Sequence, residues 1–127
     1  PSASPKTGSE LLRHFKSMKR HPSMLASFLR ELVPPSLLQS LFTRVPLEAD
    51  DLGTILAAMQ TSLREAPAEF THQVAQAYLQ ALIRTKSADT TFRMLSDEER
   101  GVLDGIVEAL PGAAASSMRE ELRSVLG

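Results

Sequence analysis

Apolar residues recur close to every 3.6 positions along the whole of this chain, and alternation with period two is nowhere sustained. A chain patterned this way buries a continuous face only by coiling into helices. Prolines then limit how far each helix can run, because an interior proline removes a backbone hydrogen bond and clashes with the preceding turn. Past the N-terminus they stand at Pro22, Pro34, Pro35, Pro46, Pro67 and Pro111. The expected fold is all-α, a compact bundle of about seven to eight short antiparallel helices in helical-repeat-like pairs.

Caps and stops place the helices. The first is expected over Ser9–Lys19, with Thr7 and Glu10 as a capping box and Leu11, Leu12, Phe15 and Met18 facing inward. Pro22 suits the first turn of the second, whose stripe is Leu25, Phe28, Leu29 and Leu32. Pro34-Pro35 stops that helix and opens a short third one, which turns Leu37, Leu38, Leu41 and Phe42 inward. Val45-Pro46 reads as a loop. The fourth helix starts near Ala49 or Asp50, with Glu48, Asp50 and Asp51 at its positive end. Leu52, Ile55, Leu56, Met59 and Leu63 line its inner face. Pro67 separates it from a fifth helix with apolar residues on two sides, Phe70, Val74, Tyr78 and Leu82 on one and Leu79 and Ile83 on the other.

A sixth helix is expected over Ser87–Leu95. Ser96 and Glu99 form a second capping box for a seventh, whose stripe is Val102, Leu103, Ile106, Val107 and Leu110. Pro111-Gly112 ends it, and a last helix is expected with Ser117 as its cap and Gly127 at its C-cap. Connections of about two to five residues make successive helices antiparallel neighbours. Residues 1–8, Pro- and Ser-rich, read as a linker, and residues 9–127 as a single all-α domain in which 111–127 are a terminal loop and helix.

Composition excludes several classes of function. Fourteen basic and fifteen acidic residues give a net charge of −1, so no global field draws the protein to nucleic acid or anionic lipid. Cysteine is absent, which removes disulfides and thiolate metal sites and fits a reducing compartment; the expected location is the cytoplasm, with the nucleus as the alternative. No apolar run approaches the ~20 residues that span a bilayer.

Side chains that carry chemistry are present but not assembled. His14, His21 and His72 lack the i, i+4 spacing that aims two imidazoles at one metal, and they read as surface or boundary residues. Asp50-Asp51 and Asp97-Glu98-Glu99 fall in first helical turns, where the helix dipole accounts for them. Gly53 and Gly105, inside helices, are expected to mark close helix packing. Arg13, Lys16, Lys19 and Arg20 form a basic face on the first helix, with no aromatic residue to stack a base, so a solvated face is the plainer reading. No nucleophile, base or metal constellation emerges, and the expectation is a protein without enzymatic activity, metal or cofactor.

The segment from Arg84 to Glu99 is the more informative one. If Ala88, Phe92 and Leu95 point inward, Ser87, Thr90 and Met94 share the outward face at i, i+3, i+7, flanked by Lys86, Asp89 and Arg93. An outward Met rimmed by charge suits a small contact surface, because the unbranched thioether adapts to irregular partners. Helical spacing alone equally admits core packing.

The same segment carries a family likeness. With Phe15, Met18-Lys19, Pro22, Leu25, Leu29-Arg30, Pro35-Ser36-Leu37, Leu41-Phe42, Leu79, Leu82, Lys86, Asp89 and Leu95-Ser96, the chain resembles the C-terminal domain of RNA polymerase II-associated protein 3 and sperm-associated antigen 1. The likeness runs from about Leu11 to Leu126 across helix-core and cap positions. It implies an all-α, non-catalytic adaptor of tetratricopeptide-repeat co-chaperones. Such a domain docks a RuvB-like AAA+ ATPase and ties it to a heat-shock protein 90 held by upstream repeats. The docking helix of that family carries Arg-Phe-Asp-Met and then an aromatic. Those places fall here on Ser87, Ala88, Asp89, Thr90 and Met94, so only the Asp is kept. Losing an Arg or aromatic anchor commonly costs about 2 kcal/mol or more, and Arg84, Lys86 or Arg93 would have to supply charge from a neighbouring turn. The resemblance therefore implies a protein-binding site at Arg84, Lys86, Ser87, Asp89, Thr90, Arg93 and Met94, on a domain monomeric by itself. The same fold binding a different protein, such as a dynein-assembly or cytoskeletal factor, is the alternative.

Overall fold

The computed structural model describes residues 3–126, and among them are eight helices and no strand. α1 (Gly8–Met18) begins where the Thr7 hydroxyl accepts the Glu10 N–H at 3.1 Å. The other half of the expected capping box is displaced, because the Glu10 carboxylate accepts the Lys6 N–H at 3.1 Å instead of that of Thr7. Pro22 is the first residue of α2 (Pro22–Leu32), and Pro35 that of α3 (Pro35–Leu41). Their fixed φ suits a helix start, where a missing N–H costs nothing. α4 (Ala49–Glu65) opens on Asp50 and Asp51, and α5 (His72–Ile83) is capped by the Thr71 hydroxyl. A short α6 (Ala88–Arg93) precedes α7 (Asp97–Glu108), which has the full Ser96–Glu99 capping box.

The last helix, α8 (Gly112–Leu126), corrects the sequence reading. It starts directly after Pro111, whose carbonyl accepts the Ala115 N–H at 2.8 Å. Ala113, Ala114 and Ala115 carry the helix without a polar cap, because alanine has the highest helix propensity. Ser117 is an exposed interior position rather than a cap. Gly127, expected as a C-cap, lies outside the described residues, as do Pro1 and Ser2 of the expected linker; Pro5 of that linker is buried.

All five Phe and the lone Tyr78 lie in one core with the inward Leu, Ile and Met side chains. Leu12, Leu37, Leu41 and Leu63, expected inward, are only half-buried. The helices do not pair in simple chain order. α2 packs chiefly on α4, α4 on α7, α3 on α5, and α6 on α8. At 1.5 Å per residue, α3 and α6 are only about 10 Å long, so each turns the chain within two turns and packs on a helix that is not its neighbour in sequence. They act as connectors, and longer helices on either side close over the core.

One buried hydroxyl fastens this arrangement. Tyr78 on α5 donates to the Val33 carbonyl at 2.6 Å, with the Leu29 carbonyl 3.1 Å away, and so ties α5 to the end of α2. Of the glycines expected to mark close packing, Gly53 does so: the Glu99 side chain lies where its Cβ would be, at the α4–α7 crossing. Gly105 does not. It is exposed, and a Cβ there would meet only Gln60 Nε2, at 3.7 Å.

Candidate functional site

The chain between α5 and α7 is built as a fixed turn. Arg84 caps the end of α5, and the buried Thr85 hydroxyl donates to the Leu82 carbonyl at 2.7 Å. The Lys86 N–H then reaches across to the Phe42 carbonyl at 2.8 Å. Ser87 follows with φ 57° and ψ 34°, the one non-glycine residue with positive φ among those described. That left-handed geometry costs an L-residue about 1–2 kcal/mol. It persists because its surroundings impose it. The Ser87 carbonyl accepts the Thr91 N–H at 3.1 Å, and the Thr91 hydroxyl donates to the Leu47 carbonyl at 2.7 Å. Ala88, Thr91 and Phe92 point into the core and hold α6 on the body.

This geometry revises the expected helix. α6 is Ala88–Arg93 rather than Ser87–Leu95. Ser87 lies outside the helix and leaves the helical wheel, so the stripe it was to share with Thr90 and Met94 shortens to those last two. Leu95, expected inward, is half-buried. Arg84, Lys86, Ser87, Asp89, Thr90, Arg93 and Met94 are all exposed. Met94 reaches 70% exposure, the most of any large apolar side chain among the described residues. None of the three basic residues makes an ion pair there, since the pairs among the described residues are His14–Glu10 and Arg30–Glu69.

The α3–α4 loop, legible in the sequence at Val45-Pro46, carried no functional expectation there. Phe42 and Leu47, which accept the bonds from Lys86 and Thr91, bracket Thr43, Arg44, Val45 and Pro46, all exposed. Val45 is 64% exposed. On the side of this loop facing α1 opens a cleft of about 740 Å³ of mixed lining, with Leu12, Leu41 and Val45 beside Lys6, Arg44 and Glu48. The half-buried leucines of α1 and α3 form part of its walls.

Elsewhere the reactive side chains stay apart. Glu10, His14 and Ser17 stand in line on α1, but the Ser17 hydroxyl donates to the His14 carbonyl at 2.9 Å and not to its ring. The imidazole packs on Phe28, with ring centroids 5.2 Å apart, and lies 3.9 Å from the Glu10 carboxylate. His21 and His72 are exposed, as are Arg13, Lys16, Lys19 and Arg20. Asp51 is half-buried, and burial first, then the charges of Glu48 and Asp50, push its carboxyl above the ordinary range. Among the described residues no three His, Asp or Glu side chains converge on a point where a metal ion would sit. No described helix is long and apolar enough to cross a membrane.

The family model described as the potential Monad-binding region of RPAP3 matches residues 4–100. The fold is similar to that solved by NMR for the C-terminal domain of human RPAP3, with a TM-score of 0.77 and 20% sequence identity over 92% of this chain and 87% of that one. No curated protein matches the chain.

Proposed function

Because the chain belongs to the family of the RPAP3 C-terminal region, described as potentially Monad-binding, we propose that residues 9–127 are a non-catalytic adaptor that docks a RuvB-like AAA+ ATPase. The adaptor would tie that ATPase to a heat-shock protein 90 held by upstream tetratricopeptide repeats. The observation that carries the reading is Met94, 70% exposed at the C-terminal end of α6, whose N-terminal end is held by a hydrogen-bonded turn in the left-handed conformation. The unbranched Met tip adapts to an irregular partner, and the backbone beneath it is already ordered before binding. Arg84, Lys86 and Arg93 around it would steer an acidic partner.

Calorimetric titration of this chain into the purified ATPase ring tests the reading. Binding is expected, weakened about tenfold or more by Met94→Glu with the helical circular dichroism unchanged. No heat and no co-elution at concentrations on the order of tens of micromolar would refute it. The replacement of the family's docking residues by Ser87, Ala88, Thr90 and Met94 favours a second reading, in which the same surface holds another protein. Monad, named in the family's description, is the first bait for that experiment.

A further inference from the structure

Three large apolar side chains are exposed among the described residues, Met94 at 70%, Val45 at 64% and Met24 at 54%. Met24 stands alone on α2. The other two lie on segments that the fold stitches together. The Lys86 N–H bonds the Phe42 carbonyl at 2.8 Å, and the Thr91 hydroxyl bonds the Leu47 carbonyl at 2.7 Å. Phe42 and Leu47 are each 1% exposed, so both ends of the loop are fixed in the core. Thr43–Pro46 stand out between those ends, beside the Lys86–Thr91 turn.

The loop is stiff for reasons written in its residues. Pro46 fixes its own φ and restricts the backbone of Val45, whose branched side chain is restricted in turn at χ1. A rigid, exposed Val gives up little freedom when a partner covers it. Arg44 adds a fourth basic side chain to Arg84, Lys86 and Arg93, against Asp89 and, at the far end of the loop, Glu48. None of these four basic residues is ion-paired among the described residues.

We infer that the Thr43–Pro46 loop is the second half of the docking surface, with Val45 and Met94 as separate apolar anchors and Arg44 in their basic rim. The partner that fits is a protein face with an acidic border and two apolar recesses. The inference rests on the reading of the Arg84–Met94 segment as a docking site and enlarges it.

The test titrates the ATPase ring used above with the wild-type chain and with Val45→Glu, Val45→Ser, Arg44→Glu, Met94→Glu and Met24→Glu at two salt concentrations. Helical circular dichroism checks each fold. Val45→Glu and Met94→Glu should each weaken binding about tenfold or more, Val45→Ser less, and Met24→Glu by less than about twofold. Arg44→Glu should weaken binding and flatten its salt dependence. If Met94→Glu weakens binding while both Val45 variants bind like wild type, the loop is not part of the surface and the α6 reading stands alone. If the Val45 variants weaken binding and Met94→Glu does not, the two-anchor surface is wrong. Equal losses from Met24→Glu and Val45→Glu would also overturn it, and a wild-type chain that does not bind the ring removes the ATPase reading together with this enlargement of it.

Discussion

Replacing Tyr78 with Phe deletes one buried hydroxyl and nothing else. That hydroxyl is the donor to the Val33 carbonyl, at 2.6 Å. The chain that follows offers no substitute nearby, because Pro34 and Pro35 have no N–H. The Leu29 carbonyl keeps the Val33 N–H at 3.1 Å. One buried acceptor is therefore orphaned, a loss of about 1–3 kcal/mol. For a domain of this size that lowers Tm by roughly 4–10 °C.

Alkaline pH adds a second signature. Burial raises the Tyr78 phenol well above its ordinary value of 10.0, with the Arg30 charge opposing the shift. In the unfolded chain the phenol ionises near its ordinary pKa, while the native state keeps its proton. The stabilisation is thus fully present below about pH 10 and declines above it, by up to about 1.4 kcal/mol per pH unit. Tyr78→Phe lacks that decline, so the gap between wild type and variant should narrow as pH rises. Urea unfolding at neutral and alkaline pH measures the gap. Tyr78 is the only Tyr and there is no Trp, so tyrosinate absorbance reports this phenol alone. Phenolate should appear only as helicity is lost. A phenol that titrates near pH 10 in the folded protein, or a variant within about 0.3 kcal/mol of wild type, would refute the account.

Gly105→Ala should stabilise by about 0.5–1 kcal/mol through helix propensity, while Gly53→Ala should gain nothing, since its methyl displaces Glu99 from the capping box; urea midpoints decide. Ser87→Val should destabilise by about 1–2 kcal/mol, because a β-branched residue resists the left-handed region, and Ser87→Gly should not; equal effects would mean that the turn is not strained. Asp51→Asn should raise Tm at neutral pH. Asp51 takes up a proton more readily in the folded state, so its carboxylate opposes folding above its raised pKa, and the difference from Asn should vanish at acid pH where Asp51 is protonated in both states. Melting curves across that range check the sign.

The helical period and the prolines at 22, 34 and 35 sufficed for the all-α class and for most helix starts, because these are local rules of backbone geometry. They failed at α8, where Ala113–Ala115 needed no cap, and at Ser87, whose left-handed turn is imposed by Thr91 and the loop beyond it. The outward aim of Thr90 and Met94 was legible, since two residues four apart share a helix face. Sequence alone also marked Val45-Pro46 as a loop. That this loop lies against the α6 turn follows from the Lys86–Phe42 and Thr91–Leu47 bonds, which join residues more than forty positions apart. No local pattern encodes such a meeting, because it depends on how the long helices pack once the short ones have turned the chain.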